Sequence, residues 1–230
     1  MANRTERWPT PPGLRPVSLT GRWVTLTPAL PDDLDAMYAW RVAADGLHLW
    51  SVNRKLPSFG EARAEIETIV VNSLLFLIAR NRRGDPIGFI QFYNASPVDG
   101  FCYFMEYIAP PFQATLAAGE MPIIATEYLF DSFPFRKLYA EVYDHNPRSF
   151  RQLKRAGFIE QGYTPDHVYY KGVYWGITRL ALTREGWDRF RSKFTHLHTT
   201  VVKGHQEEQH LDWDLNFTGS GTRLASPSRS

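Results

Sequence analysis

The sequence predicts an α/β fold with a central mixed and mostly antiparallel sheet of about seven strands flanked by helices. Three observations carry that expectation. Segments of period-2 alternation interleave with segments at helical spacing instead of being grouped by type. Short turns at Arg83-Gly84-Asp85 and Lys171-Gly172 join two pairs of strands, and so short a connection makes each pair antiparallel. Finally, 43% apolar and 22% charged residues over 230 positions are the proportions of a globular chain with a sizeable core.

Residues 1–16 read as a proline-rich arm, because Pro9, Pro11, Pro12 and Pro16 withhold amide donors and resist helix. Gly21–Pro28 alternates and is β-branched, giving the first strand. Pro31 with Asp32, Asp33 and Asp35 opens a helix whose first-turn carboxylates suit its dipole, and Leu34, Met37 and Tyr38 form its apolar stripe. Gly46–Pro57 is irregular and holds His48, Trp50 and Arg54. Ser58-Phe-Gly-Glu61 is a capping box, followed by Ala62, Ile66, Ile69 and Val70 at helical spacing. Three strands come next, Leu74–Arg80, Ile87–Asn94 and Phe101–Ile108.

A helix is expected from about Gly119 to Phe133, a strand over Lys137–Tyr143, and a short helix from Asn146 to Ala156 closed by Gly157. Gly162–Tyr170 and Val173–Leu182 are the last two strands. Thr183 caps a final helix with Trp187, Phe190 and Phe194 on one face. From residue 195 the chain turns polar. The expected division is an arm (1–16), one folded domain (17–194) and a tail (195–230).

The charge balance excludes some functions. Lys and Arg number 26 against 24 Asp and Glu, a net charge of +2, which disfavours a bulk electrostatic grip on nucleic acid or a membrane surface. No secretory h-region or spanning stretch is visible, and the single cysteine, Cys102, has no internal partner. A cytoplasmic location is expected. Four of the seven histidines, His196, His198, His205 and His210, fall near the tail without ligand spacing, so no metal site is expected.

The most informative stretch is Asn146-Pro-Arg-Ser149-Phe-Arg-Gln-Leu153-Lys-Arg-Ala-Gly157-Phe158. Asn146 stands at a strand-to-helix junction, where free N–H groups of the next turn favour anionic or amide-rich ligands. With Leu19-Thr-Gly-Arg22, Phe135-Arg-Lys-Leu-Tyr-Ala-Glu-Val142, His167-Val-Tyr-Tyr-Lys-Gly172 and Leu182-Thr-Arg-Glu-Gly-Trp187 in order, the chain resembles the GNAT (N-acetyltransferase) superfamily. The resemblance covers about residues 17–190. Its nearest branch is that of the RimJ/RimL-like ribosomal-protein-alanine acetyltransferases.

That resemblance implies a GNAT-like sheet splayed where an acyl donor enters, and transfer of an acetyl or other acyl group from acetyl-CoA to a primary amine. The amine belongs to a small molecule or a peptide N-terminus and attacks directly. Alternation puts Cys102, Phe104, Glu106 and Ile108 on one strand face, so Glu106 is the candidate base, partly desolvated by apolar neighbours; a structural ion pair with an arginine is the alternative. The backbone at Tyr107, Ile108 and Ala109 is the candidate oxyanion donor, at a bulge in the superfamily's fourth strand. By the resemblance, Asn146 holds the pantetheine arm and Ser149 lies near the thiol; simple helix capping is the alternative for both. The tyrosine acid of many superfamily members would fall at 153, which is Leu153 here.

The departure lies in the phosphate loop, Gln/Arg-x-x-Gly-x-Gly/Ala in the superfamily. Here it reads Gln113-Ala-Thr-Leu116-Ala-Ala118-Gly119-Glu120, so Gln113, Ala118 and Gly119 are the candidate phosphate-binding residues and Leu116 replaces the central glycine. A left-handed dihedral at Leu116 would be strained, and its isobutyl group would occupy phosphate space. No basic residue lies within Pro110–Glu120, while Arg148, Arg151, Lys154 and Arg155 line the next helix as a phosphate-neutralising or merely solvated face. Tyr174-Trp175-Gly176 lacks the branch's Asp. Trp40, Trp50, Tyr107 and Phe112 either line an acceptor pocket or fill the core. Two rival readings keep the fold: an acyl carrier protein as donor or another reaction in the same cleft, and a non-catalytic binding module derived from an acyltransferase.

Overall fold

The computed structural model describes residues 18–43, 55–193 and 200–202. Among these residues nine strands form one sheet: β1 (Ser18–Thr20), β2 (Thr25–Pro28), β3 (Leu75–Arg80), β4 (Pro86–Ser96), β5 (Phe101–Ile108), β6 (Lys137–Tyr143), β7 (Ile159–Tyr170), β8 (Val173–Thr183) and β9 (Thr200–Val202). Their spatial order is β7-β8-β6-β5-β4-β3-β2-β1-β9. Every neighbouring pair is antiparallel except β5 with β6. Among the described residues five α-helices flank it: α1 (Leu34–Val42), α2 (Phe59–Asn72), α3 (Leu116–Ser132), α4 (Pro147–Arg155) and α5 (Arg184–Arg191). The class is the expected one, and the two extra strands have identifiable origins.

The first extra strand, β1, lies just ahead of the segment expected as a strand, whose residues 21–24 form a turn and whose remainder is β2. Gly21 N–H donates to Val24 O at 2.9 Å, turning the chain between β1 and β2. The second is β9, three β-branched residues that pair antiparallel with β1 inside the segment expected as tail. α3 begins at Leu116, three residues before the expected start, because Thr115 caps it by accepting the Ala118 N–H at 3.3 Å. The Ser58 and Glu61 capping box and the Thr183 cap form as expected. Arg54, His48 and Trp50, Phe194, the proline arm and the four late histidines lie outside the described residues.

Alternation along the strands divides two cores. Ile90, Phe92, Cys102, Phe104, Leu138 and Leu180 pack with Met121, Ile124 and Leu129 of α3 and Trp187 of α5. On the other side, Phe76, Ile78, Phe89 and Tyr107 pack with Met37 and Trp40 of α1 and Ile66 of α2. Trp40 and Tyr107 are therefore core, and Phe112 packs half-buried against both clusters. Arg41, 1% exposed, meets Glu65 at 3.0 Å and ties α1 to α2, so its buried charge is compensated.

Candidate functional site

β5 and β6 pair as parallel strands only through Phe101–Lys137, Cys102–Leu138 and Tyr103–Tyr139. Beyond these the strands separate, leaving Phe104–Ile108 and Ala140–Tyr143 as the two arms of a V. α4 covers the V from one side. Between them lies a cavity of about 90 Å³ lined by Phe104, Met105, Glu106, Ala140, Ser149, Gln152 and Leu153.

The β4–β5 ladder decides which β5 amides face the cleft. Ala109 N–H donates to Ile87 O at 2.9 Å, and the register continues as Ile108–Gly88, Tyr107–Phe89 and Glu106–Ile90. In an antiparallel pair alternate residues exchange both bonds, so Met105, Tyr107 and Ala109 spend their amides on β4. Glu106 and Ile108 turn theirs toward the V. This corrects the expected set, since Ala109 and Tyr107 are not available as backbone donors and Ile108 is. Nor is there a bulge at that point: the register shift in this pair falls between Tyr93 and Ser96.

Glu106 lies on the cleft side of β5 with Phe104, as the alternation requires. Its surface opens to water through the cleft, yet the walls pack densely enough round the carboxyl to push it up to about 7, by desolvation. Among the described residues its carboxylate makes no ion pair, and desolvation is the cause of its raised value. Cys102 points into the core, where burial pushes the thiol up to about 12 and leaves it unsuited to attack at neutral pH.

Asn146 caps α4, its Oδ1 accepting the Ser149 N–H at 3.2 Å. The Ser149 hydroxyl makes no hydrogen bond among the described residues, and Ser149 lines the cavity. Leu153 stands one turn further along the same wall, at the position where the resemblance would place a tyrosine acid. Gln152 was not anticipated; its spacing of three from Ser149, on one helix face, was the available signal.

At the cleft mouth, Gln113 Nε2 donates to Ile108 O at 3.3 Å, and Arg148 Nη2 donates to Gln113 O at 2.9 Å. Leu116 does not do what the loop pattern suggested. Positive φ among non-glycine described residues is confined to Asn94, Asp166 and Lys171, and Leu116, in the first turn of α3, is 65% exposed. It is unstrained and exposed. A Cβ at Gly119 would meet nothing within 4 Å, so that side of the first turn is open. Neither α3 nor α4 has an acidic residue in its first turn. Neither helix thus sets a carboxylate of its own first turn against an anion at its positive end, which fits a phosphate-bearing thioester.

Gly176, where the branch has Asp, is explained by its neighbours. Tyr163 crosses over Gly176 within clash distance of any Cβ there, and its hydroxyl donates to Asp144 Oδ2 at 2.9 Å. Among the described residues no three His, Cys, Asp or Glu side chains gather as a metal site requires, and no helix is long and apolar enough to cross a membrane.

Known proteins share this fold. The acetyltransferase (GNAT) domain model matches residues 24–159. The SPbeta prophage-derived uncharacterized N-acetyltransferase YokL of Bacillus subtilis (strain 168) is 25% identical over 100 residues, 43% of this chain and 56% of that protein. The chain thus matches little more than half the length of that curated relative. A GCN5-related N-acetyltransferase from Brucella melitensis superposes with a TM-score of 0.65 at 20% identity, over 78% of this chain and 86% of that one. Spermidine N-acetyltransferase from Vibrio cholerae, solved with CoA and spermine, gives 0.65 at 19% identity over 71% and 97%. The family match takes in more than half of the residues, including both arms of the V and the whole of α3 and α4, and the chain belongs to the acetyltransferase (GNAT) domain family.

Proposed function

We propose that this protein is an N-acyltransferase of the RimJ/RimL-like kind, moving an acetyl group from acetyl-CoA to the primary amine of a small molecule or a peptide N-terminus. The observation that supports it best is Glu106 facing Ser149 across the cavity between the diverged strands, its carboxyl raised to about 7. The coenzyme supplies an acyl group activated as a thioester. The chain supplies proton transfer, orientation and hydrogen bonds.

Glu106 takes the proton of the incoming ammonium, directly or through one water. An α-amino group has a reference value of about 8, so a base near 7 is well matched. Ile108 N–H donates to the thioester oxygen as negative charge develops there. Ser149 donates its hydroxyl to the departing sulfur, and Asn146 holds the amide-bearing arm. Gln113, Ala118 and Gly119 line the phosphate end, with Tyr107 and Ala109 fixing Ile108 from behind. The Vibrio cholerae protein is named for acetylating spermidine, which supports an amine acceptor. A cytoplasmic location goes with this reading.

Isothermal titration with acetyl-CoA, followed by thiol release against a panel of amines, tests it. Saturable binding and amine-dependent thiol release are expected. Absence of binding at millimolar donor would overturn the reading.

A further inference from the structure

We propose that Arg148 is the cation for the coenzyme's pyrophosphate, supplied from α4 because the loop ahead of α3 has none. This rests on the acetyl-transfer reading above and adds a residue to it. A pyrophosphate held by backbone amides alone leaves most of its charge uncompensated. Pro110–Glu120 contains no Lys or Arg, and the position at which a glycine would let backbone close on the phosphate is Leu116. The compensating charge has to come from another element.

Of the four basic residues on α4, one reaches the loop. Lys154 is drawn away by Glu160, at 3.0 Å. Arg151 and Arg155 lie about one and two turns further along the helix. Arg148, in the first turn, crosses the cleft mouth and donates through Nη2 to Gln113 O at 2.9 Å. Gln113 is itself tied back to Ile108 O at 3.3 Å, so the guanidinium is anchored to the end of the strand whose Ile108 amide faces the V.

The choice of arginine follows from its shape. One nitrogen of the fork is spent on Gln113 O, the only hydrogen bond of the Arg148 side chain among the described residues. The remaining donors of a planar, permanently charged group stay available for phosphate oxygens. Lysine, a single point of charge, serves one acceptor well and the pair poorly. The open side of Gly119 and the acid-free first turns of α3 and α4 leave room and a favourable field beside it.

Calorimetric binding of three probes separates the roles: CoA, 3′-dephospho-CoA and pantetheine, the last lacking phosphate altogether. Arg148→Met is expected to weaken CoA and dephospho-CoA by the same factor, about 10- to 100-fold, on the scale of charge-assisted bonds. Pantetheine binding is expected to stay within about twofold, as is all binding by Arg155→Met, which removes the same charge about 10 Å along the same helix face. Arg148→Lys is expected to fall between wild type and Arg148→Met.

An unchanged CoA affinity in Arg148→Met would overturn the proposal. So would an equal loss with pantetheine, which would mark a clamp on the loop, or a loss confined to CoA, which would mark the 3′-phosphate. If wild type binds none of the three probes, the acetyl-transfer reading itself fails, and Arg148 with it.

Discussion

The carboxylate of Glu120 closes the turn at Gly21. Its Oε1 accepts the Arg22 N–H at 2.9 Å, while Oε2 accepts those of Trp23 at 2.6 Å and Val24 at 3.0 Å. A side chain at Gly21 would stand 2.7 Å from that carboxylate and within clash distance of Ile124 Cδ1. The turn between β1 and β2 is thus written by a residue in α3, 96 or more positions away. Glu120→Gln sets an amide donor against one of these N–H groups and is expected to cost about 1.5–3 kcal/mol. Gly21→Ala is expected to destabilise as well, since the Ile124 and Glu120 atoms it meets are both buried. Urea midpoints of the two variants check this.

Glu106→Gln is expected to lower kcat/KM by about 10²- to 10⁴-fold while leaving CoA affinity near wild type. In wild type the rate should rise with pH through about 7 as the carboxylate forms, and the variant should lack that limb. Stability should run the other way. The folded-state value of about 7 lies above the ordinary 4.5, so the native state binds more protons between the two. Stability therefore falls as pH rises across that window. Melting temperatures from pH 4.5 to 7 should show a shallower fall in Glu106→Gln.

Two substitutions separate capping from binding at Asn146. Asn146→Ala loses the acceptor for Ser149 N–H and is expected to cost about 1 kcal/mol. Asn146→Asp keeps an acceptor there, so its melting temperature should hold, while the lost amide donor should weaken pantetheine binding several-fold. Equal pantetheine affinity in Asn146→Asp and wild type would reduce Asn146 to a cap.

Tyr163 titrates above its ordinary value of 10 because its hydroxyl is bonded to Asp144. Gly176→Ala places a methyl where that hydroxyl lies, and Tyr163, being exposed, can swing out. The expected result in an ultraviolet titration is that one tyrosine of the wild type returns toward its ordinary value in Gly176→Ala. Adding Tyr163→Phe to Gly176→Ala should then cost no further stability.

What was legible in the sequence follows from the range of the forces involved. Period-2 alternation placed the long strands, and local capping chemistry placed α2, α4 and α5, because those signals lie within a few residues. The V was legible only through family resemblance, since where β5 and β6 stop pairing depends on both strands at once. Three residues gave too short a pattern for β9. The turn at Gly21 held by Glu120, the demand for glycine at 176 and the reach of Arg148 to Gln113 each join residues distant in sequence, and no local pattern encodes them. Glu106 was readable from its face of the strand. Which neighbouring amide faces the cleft was not, because that phase is set by Ala109 bonding to Ile87.

A sheet that stops pairing after three rungs carries two edges in its own interior. Ala140–Tyr143 still has β8 on one side, and Phe104–Ile108 has β4, so each arm is half-bonded. The amides of Glu106 and Ile108 should then exchange with deuterium faster than those of Met105 and Tyr107 beside them, a one-residue alternation within a single strand. An extended ligand carrying amides of its own, threaded between the arms, would act as a short missing strand and abolish that alternation. Occupancy of the cleft is thereby readable residue by residue, without chemistry and without knowing the acceptor.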